Sequence, residues 1–109
     1  MTRVALIRHS GRPAGFAVSG HSGYADAGED ILCAAISMAV SLAECQLNDV
    51  LGAGAEVLVD EKKALIRVEL PQKSTDAVYQ KCAPALQAFE MVLRQYAAEY
   101  TDYISISEE

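Results

Sequence analysis

Tryptophan is absent from this 109-residue chain, phenylalanine and histidine each occur twice, and lysine plus arginine number 9 against 15 aspartates and glutamates. The shortage of cations excludes the most. A net charge of −6 and a pI near 4.8 argue against a protein that grips nucleic acid through its phosphates, a mode that needs clustered Lys and Arg. Cysteine is scarce too. Cys33, Cys45 and Cys82 are an odd number with no C-x-x-C pair, so they spell neither a dithiol redox motif nor a zinc ligand set, and no metal or cofactor is expected. The apolar run within Met1 to Arg8 is too short for the core of a signal peptide, and no later segment is expected to approach membrane-spanning length. A cytoplasmic chain with reduced thiols and no membrane partner is therefore expected. With two histidines, any imidazole chemistry falls to His9 or His21, and His9, beside a turn in Arg8-His9-Ser10, reads as a solvated surface residue.

What is present suits one globular domain over residues 1–109, with 51% hydrophobic and 22% charged residues. Thr2 to about His9 alternates as a strand, Gly11-Arg12-Pro13 reads as a turn, and Gly15 to Gly20 returns as a second strand. From Glu29 to about Leu47 the chain is rich in Ala, Leu, Ile and Met without Pro or Gly, which predicts a helix. Its apolar residues cover several faces, so more than one side is expected to be buried and a homodimer follows. Gly52 or Gly54 can close it in a left-handed cap. Glu56 to Asp60 and Ala64 to Leu70 read as two strands joined by the polar turn Asp60 to Lys63. Ser74 or Thr75 caps a last helix to about Tyr100, in which Cys82 falls on the core stripe and Pro84 should bend the helix or mark its start. Tyr103 to Ser107 alternates as a closing strand. The order β-β-α-β-β-α-β predicts an α+β fold, a mixed and mostly antiparallel five-stranded sheet packed with two helices.

The chemistry-bearing stretch is Gly20-His21-Ser22-Gly23-Tyr24-Ala25-Asp26-Ala27-Gly28-Glu29-Asp30-Ile31-Leu32-Cys33-Ala34-Ala35-Ile36-Ser37. Gly20 ends a strand, a glycine-containing loop carries His21, and Cys33 falls in the first turn or so of the predicted helix. Free N–H groups and the positive end of the helix dipole favour a thiolate there. His21, twelve residues before Cys33, sits on a loop flexible enough to fold its imidazole onto the sulfur. A Cys/His pair in hydrogen-bond reach is the minimum for thiol-based acyl transfer. Asp30, Cys33 and Ser37 share one helix face, a polar flank that a plain core cysteine does not need. The competing reading is that Cys33 is inert core, the commoner fate of a lone cysteine on an Ala-rich helix.

At these residues the chain resembles the ribosomal-processing cysteine proteases (Prp, the YsxB-like family) of Firmicutes and related bacteria. The resemblance is carried by Gly20-His21, the glycine-containing loop, and Asp30-Ile31-Leu32-Cys33-Ala34-Ala35-Ile36-Ser37, and extends to the length and element order of the chain. It implies that His21 and Cys33 are the catalytic pair. It further implies a homodimer that removes the N-terminal extension of large-subunit ribosomal protein twenty-seven, cutting after a short hydrophobic motif that ends in aromatics. Ser22 stands where the family commonly has alanine, a small-for-small change.

In the mechanism these residues suggest, His21 takes the thiol proton, Cys33 attacks the scissile carbonyl, the imidazolium protonates the leaving amine, and water resolves the thioester. Backbone N–H groups around Cys33 are the expected oxyanion donors. Asp30 either orients His21 or caps the helix; Ser37 either bonds within the site or bonds back to the carbonyl at position 33. Ser22 and Tyr24, on the loop over the pair, are candidates for substrate contact. Two other classes stay open: a non-catalytic peptide-binding module of the translation apparatus, and a thiol-redox protein using Cys45 or Cys82 as resolving thiol.

Overall fold

The computed structural model describes residues 1–20 and 27–109, with side chains described for 1–20 and 31–109. Strands β1 (Thr2–His9) and β2 (Arg12–Ser19) form an antiparallel hairpin. Its turn is tighter than the sequence predicts. Ser10 and Gly11 alone make it, at φ of 52° and 79°, the two left-handed residues of a type I′ turn. Arg12 and Pro13, expected in the turn, therefore belong to β2. Pro13 is tolerated because the register slips there: Ile7 faces Gly15 but Arg8 faces Pro13, leaving Ala14 as the extra residue of a bulge.

Helix α1 (Ala27–Cys45) begins two residues earlier than expected and runs into a single π-helical turn, Gln46–Val50. Gly52 and Gly54 both follow with positive φ, as the closing glycines should. The Asn48 amide then brackets the Ala55 backbone, donating from Nδ2 to its carbonyl at 3.1 Å and accepting its N–H on Oδ1 at 2.7 Å. Strands β3 (Glu56–Asp60) and β4 (Leu65–Glu69) form a second hairpin. Asp60 Oδ1 braces its turn by accepting the N–H groups of Lys62 and Lys63. Helix α2 (Asp76–Glu99) is capped by Thr75, whose hydroxyl accepts the Val78 N–H at 3.3 Å, and Pro84 lies inside the helix without ending it. Strand β5 (Ile104–Glu108) closes the chain.

The five strands lie in the order β3-β4-β2-β1-β5, all antiparallel except the β1–β5 pair, so the sheet is mixed as expected and the class is α+β. Alternation along the strands sends Val4, Leu6, Phe16, Val18 and Val68 to the helix side. Phe16 stacks on Phe89 of α2 with ring centroids 4.0 Å apart. Leu32, Ile36, Val40 and Ala43 of α1, with Leu47, form one buried stripe, and α1 packs beside α2. One sequence expectation needs correcting here. The 20-residue stretch Ile31–Val50, with a mean hydropathy of 1.5, is long and apolar enough to cross a membrane. Leu32, Ile36, Val40, Ala43 and Leu47 of this stretch belong to the fold's own core, while Ile31, Met38, Leu42 and Val50 are exposed, and its most apolar window is only 28% buried.

Candidate active site

The first half of α1 stands away from the corner formed by β2, β4 and β3, leaving an open groove of about 630 Å³. One wall is helical: Cys33, Ile36, Ser37, Val40 and Ser41. The other is sheet. Val18, Ile66 and Val59 sit side by side in neighbouring strands, because Val18 pairs with Ile66 and Ile66 with Val59, and all three line the groove. Gly20, Thr2 and the β3–β4 turn complete it. Asp60 and Glu61 are its charged groups, and no cation lines it among the described residues.

Cys33 is half-buried on this wall, and Ser37, one turn on, is exposed beside it. Their shared helix face is as the sequence predicts. The position of Cys33 along the helix is not. With α1 starting at Ala27, Cys33 is its seventh residue, beyond the four N–H groups that a helix start leaves free. The expected help from the helix terminus and from oxyanion donors around Cys33 is therefore lost. Cys45 and Cys82 line no part of this groove. Cys82 is fully buried in the core, as expected, and burial pushes its thiol up; burial, with Asp49 adding to it, does the same to Cys45.

Gly20 is required where it stands. Its φ is 80°, and a Cβ there would sit 2.7 Å from the Met1 carbonyl oxygen, while its N–H donates to the Ala64 carbonyl at 3.1 Å. The glycine thus fixes the end of β2 at the rim of the groove. His21, Ser22 and Tyr24 lie outside the described residues; Asp30 lies in α1, with its side chain outside them as well.

His9 departs from the sequence reading. It is held in a polar network rather than solvated, with a side chain only 9% exposed. Nδ1 lies 2.7 Å from the Tyr79 hydroxyl and Nε2 2.6 Å from Glu69 Oε2. The Arg12 guanidinium lies over the Tyr79 ring at 4.8 Å. His9 closes β1 at the end opposite Thr2, and the groove reaches along the sheet only as far as Val18, which pairs with Val4, five residues and about 16 Å of strand from His9. It is therefore no partner for Cys33. The sequence carried no signal for this network, whose members are 60 and 70 residues apart. Nor did it single out Val59, Asp60 and Ile66 as groove residues. One sign was available: Val57-Leu58-Val59 breaks the alternation expected of a strand covered on one side.

Comparison with known proteins adds one family match and three structural likenesses. The family described as cysteine protease Prp matches residues 1–105. Among solved structures, the essential ribosomal processing protease Prp from S. aureus, in complex with a substrate peptide, superposes with a TM-score of 0.82 at 17% identity, covering 100% of both chains. SMU.848 from Streptococcus mutans gives 0.86 at 21% identity, covering 99% of this chain and 93% of its own. The S. aureus protease in complex with a covalently linked product peptide gives 0.80 at 18% identity, again over 100% of both chains. At these identities the likeness to the solved structures is one of fold. No match was found among curated proteins.

Proposed function

Because the chain belongs to the Prp family of cysteine proteases, we propose that it is a ribosomal-processing endopeptidase that removes the N-terminal extension of large-subunit ribosomal protein twenty-seven after a hydrophobic, aromatic-ended motif. One observation carries the reading. Cys33 opens onto a largely apolar groove of about 630 Å³ whose rim is set by Gly20, the residue to which His21 is bonded. A groove walled by Val18, Ile36, Val40, Val59, Leu65 and Ile66 suits an apolar peptide, and its Asp60 and Glu61 suit one without acidic residues. The similar S. aureus protease was solved with a substrate peptide and with a covalently linked product peptide.

In this reading His21 accepts the proton from Cys33 Sγ as the sulfur adds to the scissile carbonyl carbon. The protonated imidazole then gives that proton to the leaving amine, the C–N bond breaks, and a thioester remains on Cys33. Water activated by His21 hydrolyses the thioester and restores the thiol. The oxyanion donors come from groups other than the Cys33 turn of α1, whose N–H positions lie inside the helix. Asp30 and Ser37 support the pair, and Ser22 and Tyr24 contact substrate.

The site needs no cofactor in this scheme and the chain binds no nucleic acid. We also place the protein in the cytoplasm, where its three cysteines stay free, and as a homodimer. The dimer follows from α1, on which Ile31, Met38 and Leu42 lie exposed along a single face, away from the core stripe. The test is direct. Purified protein and Cys33→Ala are each incubated with the ribosomal protein precursor and the products are read by mass spectrometry. A single cut after the aromatic pair, absent in the variant, is expected; an intact precursor with wild-type protein overturns the assignment of substrate.

A further inference from the structure

The two edges of the sheet are not treated alike. Natural edge strands are blunted by charge, proline, bulges or covering elements, because a bare edge pairs with any extended chain. Strand β5 follows that rule: serines alternate along it, and its Glu108 is clamped by Arg8 at 2.6 Å. Strand β3 does not. Its three central residues Val57, Leu58 and Val59 are consecutive, apolar and 43%, 53% and 62% exposed, with charge only at Glu56 and Asp60. Consecutive residues of a strand point to opposite faces, so among the described residues neither face of β3 is fully covered. Among the described residues no strand flanks its outer side, so every second residue presents its N–H and C=O outward.

This bare edge is continuous with the groove. Val59 and Asp60, the last two residues of β3, are themselves part of the wall that faces Cys33. A chain paired along β3 is led by the strand direction to the groove. Five residues of strand span about 16 Å, which matches an extended peptide of about five residues on one side of the bond to be cut.

We propose that β3 is the substrate-docking edge: the apolar stretch of the precursor adds to it as a sixth strand, and its scissile end enters the groove beside Val59 and Asp60. The inference rests on Cys33 being the nucleophile of a peptide hydrolase and says how that enzyme holds its substrate. Main-chain hydrogen bonds supply affinity without regard to sequence. Alternate side chains of the peptide supply selectivity, one set meeting Val57 and Val59, the other meeting Leu58. Glu56 and Asp60 bound this edge and Asp60 and Glu61 line the groove, while Lys62 and Lys63 of the same turn lie outside the lining, so an acidic residue is disfavoured at the groove itself. A second copy of the chain is the other conceivable occupant. Pairing β3 to β3 would use the same outward N–H and C=O groups, so a second copy there and a peptide there exclude one another.

The experiment uses the full-length Cys33→Ala chain and a ten-residue apolar, aromatic-ended peptide spanning the cleavage site, with a companion set N-methylated at each backbone amide in turn. Amide exchange across residues 56–60 is measured with and without saturating peptide. Exchange slowed at least about tenfold in this strand, and N-methylation that weakens binding about tenfold at every second position, are the expected results. Leu58→Lys, an exposed position outside the groove lining, raises KM about tenfold in the active chain. Peptide that binds with exchange at 56–60 unchanged and N-methylation tolerated throughout overturns the docking edge and leaves the protease reading standing. Peptide that does not bind at all removes both. Protection of 56–60 in the peptide-free chain that fades on dilution shows a second copy on the edge and overturns the proposal.

Discussion

Of three thiols, Cys33 alone lines the groove, while Cys82 is sealed on the core face of α2 and Cys45 closes α1. A thiol so placed becomes a nucleophile when a base reaches it, and His21 is the histidine whose chain neighbour is at the rim. Alanine at Cys33 or at His21 is therefore expected to lower kcat/KM at least about a thousandfold with Tm unchanged. Residual cleavage near the parent level in either variant removes that residue from its role. Asp30→Asn and Ser37→Ala are expected to cost about tenfold or less. Gly20→Ala should destabilise by about 1–3 kcal/mol, since it combines a left-handed φ with a contact against the Met1 carbonyl. Thermal unfolding checks it; an unchanged Tm contradicts the strain. His9→Ala tests the opposite expectation. It empties a network of Glu69 and Tyr79, so about 1–3 kcal/mol of stability should go while cleavage persists in the surviving folded protein.

At the scale of elements, ion pairs hold β1 to its neighbours. Arg8 reaches Glu90 of α2 at 3.0 Å and Glu108 of β5 at 2.6 Å. The Glu90 carboxyl is held below its ordinary 4.5, chiefly by the hydrogen bond from Arg94, with Arg8 helping and burial opposing. For Glu69 burial is the largest single influence and pushes upward, but hydrogen bonds from His9 and Arg67 together outweigh it and the net shift is downward. A carboxylate whose folded pKa is depressed adds stability that is complete above the unfolded value and is lost as pH falls through the folded one. Stability should thus be flat with respect to these two groups above about pH 5.5 and decline below 4.5, less steeply in Glu90→Gln. Chemical denaturation across that range is the check, and an identical slope in the variant removes Glu90 from the account.

Much of this element structure was legible in the chain, because it is local. The strand alternation from Thr2, the cap at Thr75, the stripe of α2 through Cys82 and Phe89, and the left-handed Gly52 and Gly54 all follow from residue type and spacing. Where the reading slipped, the cause was equally physical. Ser10 took a left-handed φ that serine does not advertise, so the turn shortened and Pro13 moved into a bulge. A helix start two residues earlier makes Cys33 the seventh residue of α1 rather than the fifth, deeper into the helix and further from the free N–H groups of its terminus. The groove itself depends on β4 lying beside β2, a pairing between distant segments that periodicity cannot reveal.

For the whole molecule, the exposed apolar face of α1 with Ile31, Met38 and Leu42 predicts association. Sedimentation equilibrium at micromolar concentration should give twice the chain mass, and Met38→Glu should shift it to the monomer. A monomeric wild-type protein contradicts this use of the helix. The central claim remains that Cys33 carries the acyl group during peptide cleavage. It is tested most directly by mixing enzyme with excess precursor, quenching with acid within the first turnover, and reading the intact mass and the adducted residue. The account predicts enzyme bearing the N-terminal extension as a thioester on Cys33, with no adduct in Cys33→Ala. Cleavage that proceeds in Cys33→Ala, or an adduct on any other residue, contradicts it.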